Sequence, residues 1–408
     1  MNKVSNSTYL LQKYAGIKEK FRFKNVSPLV LFLTVSTIIF VYRYFLMWRV
    51  PINEFYADEI DWVIAKSNRN ILEYILLPDA GYPVPVTRVI FWSVTNSIEN
   101  SALAIHLLSS LVASFCSASI ILQKKLSIAT TKKIIIAFSL GFYQAFDLLL
   151  WHQVNYYLFI PASMYLLIHS SRPEGINLSK GSLSIVLLLI GLGKPQLVLS
   201  CLLILIIDIS RQILRGTKLR KKQSEVITLI YLFSSIIVGR FSNQALELLI
   251  EPKNLLYAIT GSLRMSATIV FPFFTVASLG FAKITDMTIV YFVVNLTITL
   301  VSVLLYIQMR RKNFVKLDRV NQDLIRVTLF AVAPIYFSIF LFINSGWSQN
   351  IFWNNECNSC MVGRHTYGIF ILFLLMIQFF LRSRILIWIP IQFIALNVLS
   401  WQYLQRVF

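Results

Sequence analysis

The sequence predicts an all-α protein that crosses a membrane many times. Apolar runs of about 20 residues, long enough to span a bilayer as a helix, recur along the chain. The mean hydropathy is +0.68, and only 14% of the residues are charged. Soluble domains average about 25% charged residues. We therefore expect a single transmembrane domain over residues 1–408, with about eleven transmembrane helices and further helices at the outer membrane interface.

The distribution of basic residues predicts the orientation of the chain. The formal net charge is +20, and basic residues are concentrated in segments such as 1–27, 211–222 and 309–326. Because basic loops stay in the cytoplasm, these segments are expected inside, and no basic patch is left to bind nucleic acid. The frequent Ile, Lys, Asn and Phe residues are typical of an A+T-rich bacterial or phage gene. We predict a multi-pass protein of a bacterial inner membrane, with an inside N-terminus and an outside C-terminus.

The expected spans follow the apolar runs in order. They are residues 28–47, 101–122, 133–150, 155–168, two short spans within 181–209, then 224–240, 287–308, 327–343, 367–381 and 385–400. The two short spans meet at Gly191-Leu192-Gly193-Lys194-Pro195, and we expect Lys194 to face outward. One long interrupted span is the alternative. It would invert the remaining topology, and the placement of Lys and Arg residues argues against it.

Three segments are expected on the periplasmic side. Residues 49–98 form the first periplasmic loop, with an acidic motif and a short amphipathic interfacial helix over 84–98. Residues 243–285 are only partly apolar and are interrupted by Pro and Gly. We expect a periplasmic or re-entrant segment buried against protein, because irregular backbone is not tolerated in lipid. Residues 344–366 form the late periplasmic loop.

The first periplasmic loop carries an unusual group of carboxylates. Six of the 18 acidic residues of the chain lie there, at Glu54, Asp58, Glu59, Asp61, Glu73 and Asp79. Carboxylates crowded near aromatic rings hold protons more tightly, which suits a general base. The predicted catalytic residues are Asp58, Glu59, Asp61 and Asp79. The same oxygens could hold a divalent cation, although the sequence requires no metal or other cofactor. The alternative is a hydrated acidic loop.

Adjacent carboxylates are expected to take different roles. On a helix, the side chains of Asp58 and Glu59 diverge by about 100°. One should therefore face a cavity while the other binds a cation, an Arg or a backbone amide. We favour Asp58 as the base because its short side chain is held more rigidly, with Glu59 as its support.

Three cations are predicted to bind the phosphate of a donor. They are Arg88 on the predicted interfacial helix, Lys194 at the outer apex, and Arg364 at the start of a late span. An arginine fork can bind two phosphate oxygens at once. The alternative for Arg88 is an arginine that extends to the interface from a lipid-facing position.

Polar and aromatic residues of the outer loops complete the predicted site. The predicted substrate-binding residues are Tyr82, His152, Asn155, His365 and Tyr367. A lone histidine in such a loop is more often an interfacial hydrogen-bonding group than a ligand. Cys357 and Cys360 are predicted to pair in an oxidising compartment. A redox or zinc site would require further residues that the sequence does not place nearby.

Four short motifs occur in order over most of the chain. They are Asp58-Glu59 after the first span, Asp79-Ala80-Gly81-Tyr82 leading to Thr87-Arg88, Lys194-Pro195 between two short spans, and Gly363-Arg364-His365-Thr366-Tyr367 entering a late span. This pattern resembles the GT-C class of polytopic membrane glycosyltransferases. Within that class it is most similar to the serotype-converting glucosyltransferases of bacteria and phages. The chain departs from them at Pro83-Val84-Pro85-Val86, where a leucine-rich run often precedes the arginine.

The resemblance implies an inverting glycosyltransferase with its active site facing the periplasm. A sugar, glucose by analogy, would move from a polyprenyl-phosphate donor to a periplasmic glycan such as the O-antigen of lipopolysaccharide. One carboxylate would deprotonate the acceptor hydroxyl, and the predicted cations would stabilise the departing lipid phosphate. The implied partners are the lipid-linked sugar, the glycan acceptor and membrane lipids.

A transporter or flippase for a lipid-linked sugar is the alternative function. Such a protein would carry charged residues through the middle of the membrane. Arg43, Asp147 and Asp208 are among the few charged residues within or near the predicted spans, whereas the other candidate polar groups concentrate on the outer face. The sequence therefore favours the transferase.

Overall fold

The computed structural model describes eleven parts of the chain as an assembly of helices. They are residues 26–47, 54–55, 58–77, 84–143, 151, 154–178, 187, 194–216, 222–241, 317–344 and 358–394. These residues form α-helices joined by short turns and contain no β-strand. The predicted all-α class is therefore confirmed for this part of the chain. Predicted segment 243–285 and predicted span 287–308 lie outside it.

The described α-helices are numbered here in chain order. They are α1 (Pro28–Met47), α2 (Asp58–Ser67), α3 (Ile71–Leu76), α4 (Pro85–Ser97), α5 (Ser101–Ala118), α6 (Thr130–Gly141), α7 (Val154–Ser170), α8 (Pro195–Leu214), α9 (Gln223–Phe241), α10 (Arg319–Asn344), α11 (Asn358–Ile377) and α12 (Ser383–Leu386). A 3₁₀ turn, Ser119–Leu122, extends α5.

Three of the described helical segments are long and apolar enough to cross a membrane. They are Pro28–Met47, Ser101–Leu122 and Leu197–Leu214. The first two coincide with predicted spans, and the third lies on the second of the two predicted short spans. Tyr367–Ile377 and Ser383–Ile394 are shorter apolar helices. The described residues thus have the composition of a membrane protein.

Helix α1 shows the surface expected of a membrane span at the edge of a helix bundle. Val35 and Ile39 are buried against the protein, whereas Ile38 and Val41 on the other side are exposed. A helix that is apolar on all sides can pack against protein with one face and against lipid with the other. Contact with α6 is close because Gly141 has no side chain, and a Cβ atom there would lie 2.5 Å from Ile39 Cγ2.

Helix α7 occupies the centre of the main hydrophobic core. It packs against α5, α8, α10 and α11, and nearly all of its side chains are buried. Pro161 lies inside the helix and removes one backbone hydrogen bond there. The segment after α7 is held by acidic side chains of α8 and α9. Asp208 Oδ2 accepts a hydrogen bond from the Ile176 amide at 3.1 Å, and Glu225 Oε1 accepts one from the Leu178 amide at 3.0 Å.

The first predicted periplasmic loop is largely helical and forms a second hydrophobic cluster. Trp62, Tyr74, Phe91, Ile105 and Trp151 are among its buried members, so α2, α3 and α4 pack on the first turns of α5. The helix predicted over 84–98 is observed as α4, and Pro85 occupies its first position. This cluster, called here the aromatic cluster, positions the candidate site.

Candidate functional site

Glu59 is the best-defined predicted site residue. Its side chain lies on the face of α2 that also carries Trp62 and Ala65, and it is fully buried. Oε1 accepts a hydrogen bond from the backbone amide of Trp151 at 2.8 Å, and Oε2 lies 2.9 Å from His106 Nε2. Both oxygens are engaged with protein groups. Burial of a carboxylate is costly unless it is paired in this way.

His106 was not among the residues predicted from the sequence. It lies in α5, within the candidate membrane span Ser101–Leu122, and is buried. The hydrogen bond between His106 Nε2 and Glu59 Oε2 joins α2 to α5. The available signal was a polar, titratable residue within an apolar run, since such residues in spans are usually retained for a specific contact.

Trp151 connects two elements of the site. Besides the amide bond to Glu59, its indole Nε1–H donates to the Thr87 carbonyl of α4 at 2.9 Å. The side chain of Trp151 is buried. Trp151, which precedes α7 in the chain, therefore fixes α2 and α4 relative to each other.

Arg88 is held between aromatic rings. Its guanidinium carbon lies 4.5 Å from the ring centroid of Trp62 and 4.9 Å from that of Tyr74, and the residue is 2% exposed. Such contacts stabilise the cation and fix the plane of the guanidinium group. The alternative of a lipid-facing arginine does not fit this burial.

Of the other predicted carboxylates, only the side chain of Asp61 is among the described residues, and it does not join Glu59 in the aromatic cluster. Asp58 is the first residue of α2, and Asp61 is exposed. Asp79 lies outside the described residues, as do Tyr82 and His152. Glu59 and Asp61 point in different directions from α2, so only one of them faces the aromatic cluster.

Of the two other predicted phosphate-binding cations, the structure describes Lys194 fully but Arg364 only by its backbone. Lys194 precedes α8 as its N-cap residue and is partly exposed, and its carbonyl accepts hydrogen bonds from Leu197 and Val198. Arg364 and His365 belong to α11, and the structure describes their backbone only. For Cys360, too, the structure describes the backbone only, and Cys357 lies outside the described residues. A common site for the three cations stays a prediction.

A second buried polar group surrounds Tyr367. Its hydroxyl donates to the Leu140 carbonyl at 2.8 Å, and its ring lies 5.6 Å from that of Tyr157. The guanidinium carbon of Arg43 lies 4.8 Å from the Tyr157 centroid. Asn155, in the first turn of α7, is also buried. Helices α1, α6, α7 and α11 thus meet around a cation inside a candidate membrane span.

Lys66 is the cation nearest the carboxyl end of α2. Nζ donates to Thr95 Oγ1 at 2.7 Å and lies 5.4 Å from the centroid of Trp92. Partial burial lowers the pKa of this amine, because desolvation disfavours its charged form. Within the described residues, no group of three or more His, Cys, Asp and Glu side chains is close enough to hold a metal ion.

The chain was compared with protein-family models, curated proteins and solved structures. No protein-family model, curated protein or solved structure matches the chain. The resemblance to GT-C glycosyltransferases therefore rests on the four sequence motifs. The structure contributes the arrangement of Glu59, His106, Trp151 and Arg88.

Proposed function

We propose that the chain is an inverting GT-C-class glycosyltransferase of a bacterial inner membrane, with about eleven spans and a periplasmic active site. Its donor would be a polyprenyl-phosphate sugar, with glucose as the expected sugar. Its acceptor would be a periplasmic glycan such as O-antigen. The supporting sequence features are the acidic motif after the first span and the three cations in later outer segments.

The observation that carries the proposal is the burial of Glu59 in an ordered acidic segment. A hydrated loop would leave this carboxylate in water. Here the carboxylate is bonded to His106 and to the Trp151 amide, and Trp62, three residues further along α2, carries the stacked Arg88. Such pre-organisation of charged groups is what catalysis of group transfer requires.

The proposed roles apply the GT-C resemblance to the residues of this chain. Asp58, the residue before Glu59, would accept the proton of the acceptor hydroxyl as its oxygen forms a bond to the anomeric carbon. The bond from that carbon to the phosphate oxygen would break, and the polyprenyl phosphate would leave with the electron pair. Arg88, Lys194 and Arg364 would stabilise the developing phosphate charge. Glu59 would hold the first turn of α2 in position.

The deciding experiment measures sugar transfer from a purified polyprenyl-phosphate sugar to a glycan acceptor. Asp58→Asn preserves shape and removes the proton acceptor, so transfer should fall by ~10²–10⁴-fold while the donor still binds. Glu54→Gln is the matched control, because Glu54 is an exposed carboxylate of the same loop. Near-normal transfer by both Asp58→Asn and Glu59→Gln would contradict the proposal.

Buried charges inside the candidate spans favour a second candidate, a transporter or flippase for a lipid-linked sugar. Arg43 and Asp208 are both buried within α1 and α8. Charged residues at such positions often mark a translocation pathway. In liposomes without acceptor, a flippase would move a fluorescent lipid-linked sugar across the bilayer, and Arg43→Gln should slow it. A transferase would leave the lipid distribution unchanged in this assay.

A further inference from the structure

The helical hairpin formed by α2 and α3 carries large aliphatic side chains on its outer surface. Its exposed aliphatic residues are Ile60, Ile64, Ile71, Leu72 and Leu76. Leu72 is 69% exposed and Leu76 is 73% exposed. A group of aliphatic side chains this dense, within a segment of 17 residues from Ile60 to Leu76, is typical of an interaction surface.

Helix α2 is apolar on two opposite faces. Trp62 and Ala65 are buried in the aromatic cluster. Ile60 and Ile64 each lie two residues from Trp62, which places them roughly 160° away around the helix. A surface helix in contact with water would carry polar side chains at those positions. The outer face of α2 therefore matches contact with an apolar phase.

The position of the hairpin along the membrane normal follows from the pair of Glu59 and His106. His106 lies five residues after Ser101, where the candidate span Ser101–Leu122 begins. At about 1.5 Å per residue, its backbone is roughly 8 Å inside that span. Because Glu59 Oε2 lies 2.9 Å from His106 Nε2, the first turn of α2 lies beside the first turns of that span.

Four of the six exposed polar residues of the hairpin lie in its turn, apart from the aliphatic ones, and the other two are Asp61 and Glu73. Residues 67–70, between the two helices, read Ser-Asn-Arg-Asn and are all exposed. Asn70 caps α3 by accepting a hydrogen bond from the Glu73 amide at 2.9 Å. Asp61 is exposed at the edge of the apolar face of α2. This division between an apolar face and a polar turn is the pattern of helices that lie in a membrane interface.

We propose that the α2–α3 hairpin lies in the membrane interface, with Ile60, Ile64, Leu72 and Leu76 in contact with phospholipid acyl chains. The occupant of this surface is the bilayer that surrounds the neighbouring span, because the hairpin is bonded to that span at its end. The proposal does not depend on the enzymatic function. It changes the expected surroundings of the acidic motif, which would lie at the lipid boundary instead of in a water-filled loop.

The test uses photo-crosslinking of the full chain in phosphatidylethanolamine–phosphatidylglycerol liposomes. The photoreactive residue p-benzoylphenylalanine replaces Leu72 or Ile64 in separate variants. Asn68, in the polar turn, is the matched control position. Ile38, exposed on the candidate span α1, defines the lipid-adduct yield of a membrane-facing site. Adducts are identified by mass spectrometry of the intact protein and its fragments.

We expect phospholipid adducts at Leu72 and Ile64 in yields similar to Ile38, and few at Asn68. Two outcomes would overturn the proposal. One is lipid adducts at Ile38 but none at Leu72 and Ile64. The other is crosslinking of Leu72 mainly to a second copy of the chain, which would identify the surface as a protein–protein interface.

Discussion

Glu59 and His106 are 47 residues apart in the chain, and their side chains meet in a buried contact of 2.9 Å. This contact fastens the acidic segment that follows the first span to the first turns of the next candidate span. The second oxygen of Glu59 binds the Trp151 amide, so three distant parts of the sequence meet at one carboxylate. The position of Asp58, the neighbouring residue, is set by this anchor.

Replacing Glu59 tests its anchoring role. Glu59→Ala would leave the His106 ring and the Trp151 amide without their buried partner, and we expect a loss of about 3–5 kcal/mol in unfolding free energy. Glu59→Gln should cost less, because its carbonyl can accept from Trp151 and its amide can donate to a neutral His106. Thermal unfolding in detergent measures both. Glu54→Ala, at an exposed position, is the control. Equal stability of Glu59→Ala and wild type would contradict the anchoring role.

Arg88→Lys tests the aromatic contacts of the guanidinium. A lysine keeps the charge but cannot stack on Trp62 and Tyr74 as a planar fork does, so we expect a loss of about 1–2 kcal/mol. If Arg88 also binds the donor phosphate, transfer should fall further than stability predicts. Arg69→Lys is the matched control because Arg69 is exposed in the turn after α2. An Arg88→Lys protein with wild-type stability would show that the ring contacts contribute little.

Gly141→Leu tests the close approach of α1 and α6. Even a Cβ atom at this position would overlap the side chain of Ile39, so a leucine should cost about 1–3 kcal/mol through overpacking. Ile39→Ala creates space on the facing helix and should restore part of the lost stability in the double variant. The measurement is thermal unfolding of the single and double variants. Additive losses would indicate that the two residues do not compete for the same space.

The predicted orientation can be tested at two exposed positions. Asn68→Cys lies in the turn after α2 and should react with a membrane-impermeant thiol reagent in intact cells. Lys124→Cys, in a basic segment that is expected inside, should react only after the cells are lysed. The unsubstituted protein measures labelling of the native cysteines. The reverse pattern at the two positions would overturn the predicted topology.

Several elements could be predicted because their signals are local in the sequence. An apolar run bounded by Pro28 defines α1, since its length matches a bilayer. Pro85 and Pro195 each occupy the first position of a helix, where a missing N–H has no cost. For predicted span 133–150, α6 begins three residues earlier, at Thr130, and residues 144–150 lie outside the described residues. Hydropathy alone does not define where such a helix begins.

The sequence by itself determined the all-α class, the apolar runs and the position of the acidic motif, because composition and helix periodicity depend on neighbouring residues. Only the tertiary structure decided which carboxylate is buried and which cation is stacked. Nothing near Glu59 in the chain distinguishes it from Asp58, since its partners His106 and Trp151 arrive from other helices. The environment of Arg88 likewise depends on Trp62 and Tyr74. Burial and pairing of a charge are properties of packing, so they follow from contacts between segments that the linear sequence leaves far apart.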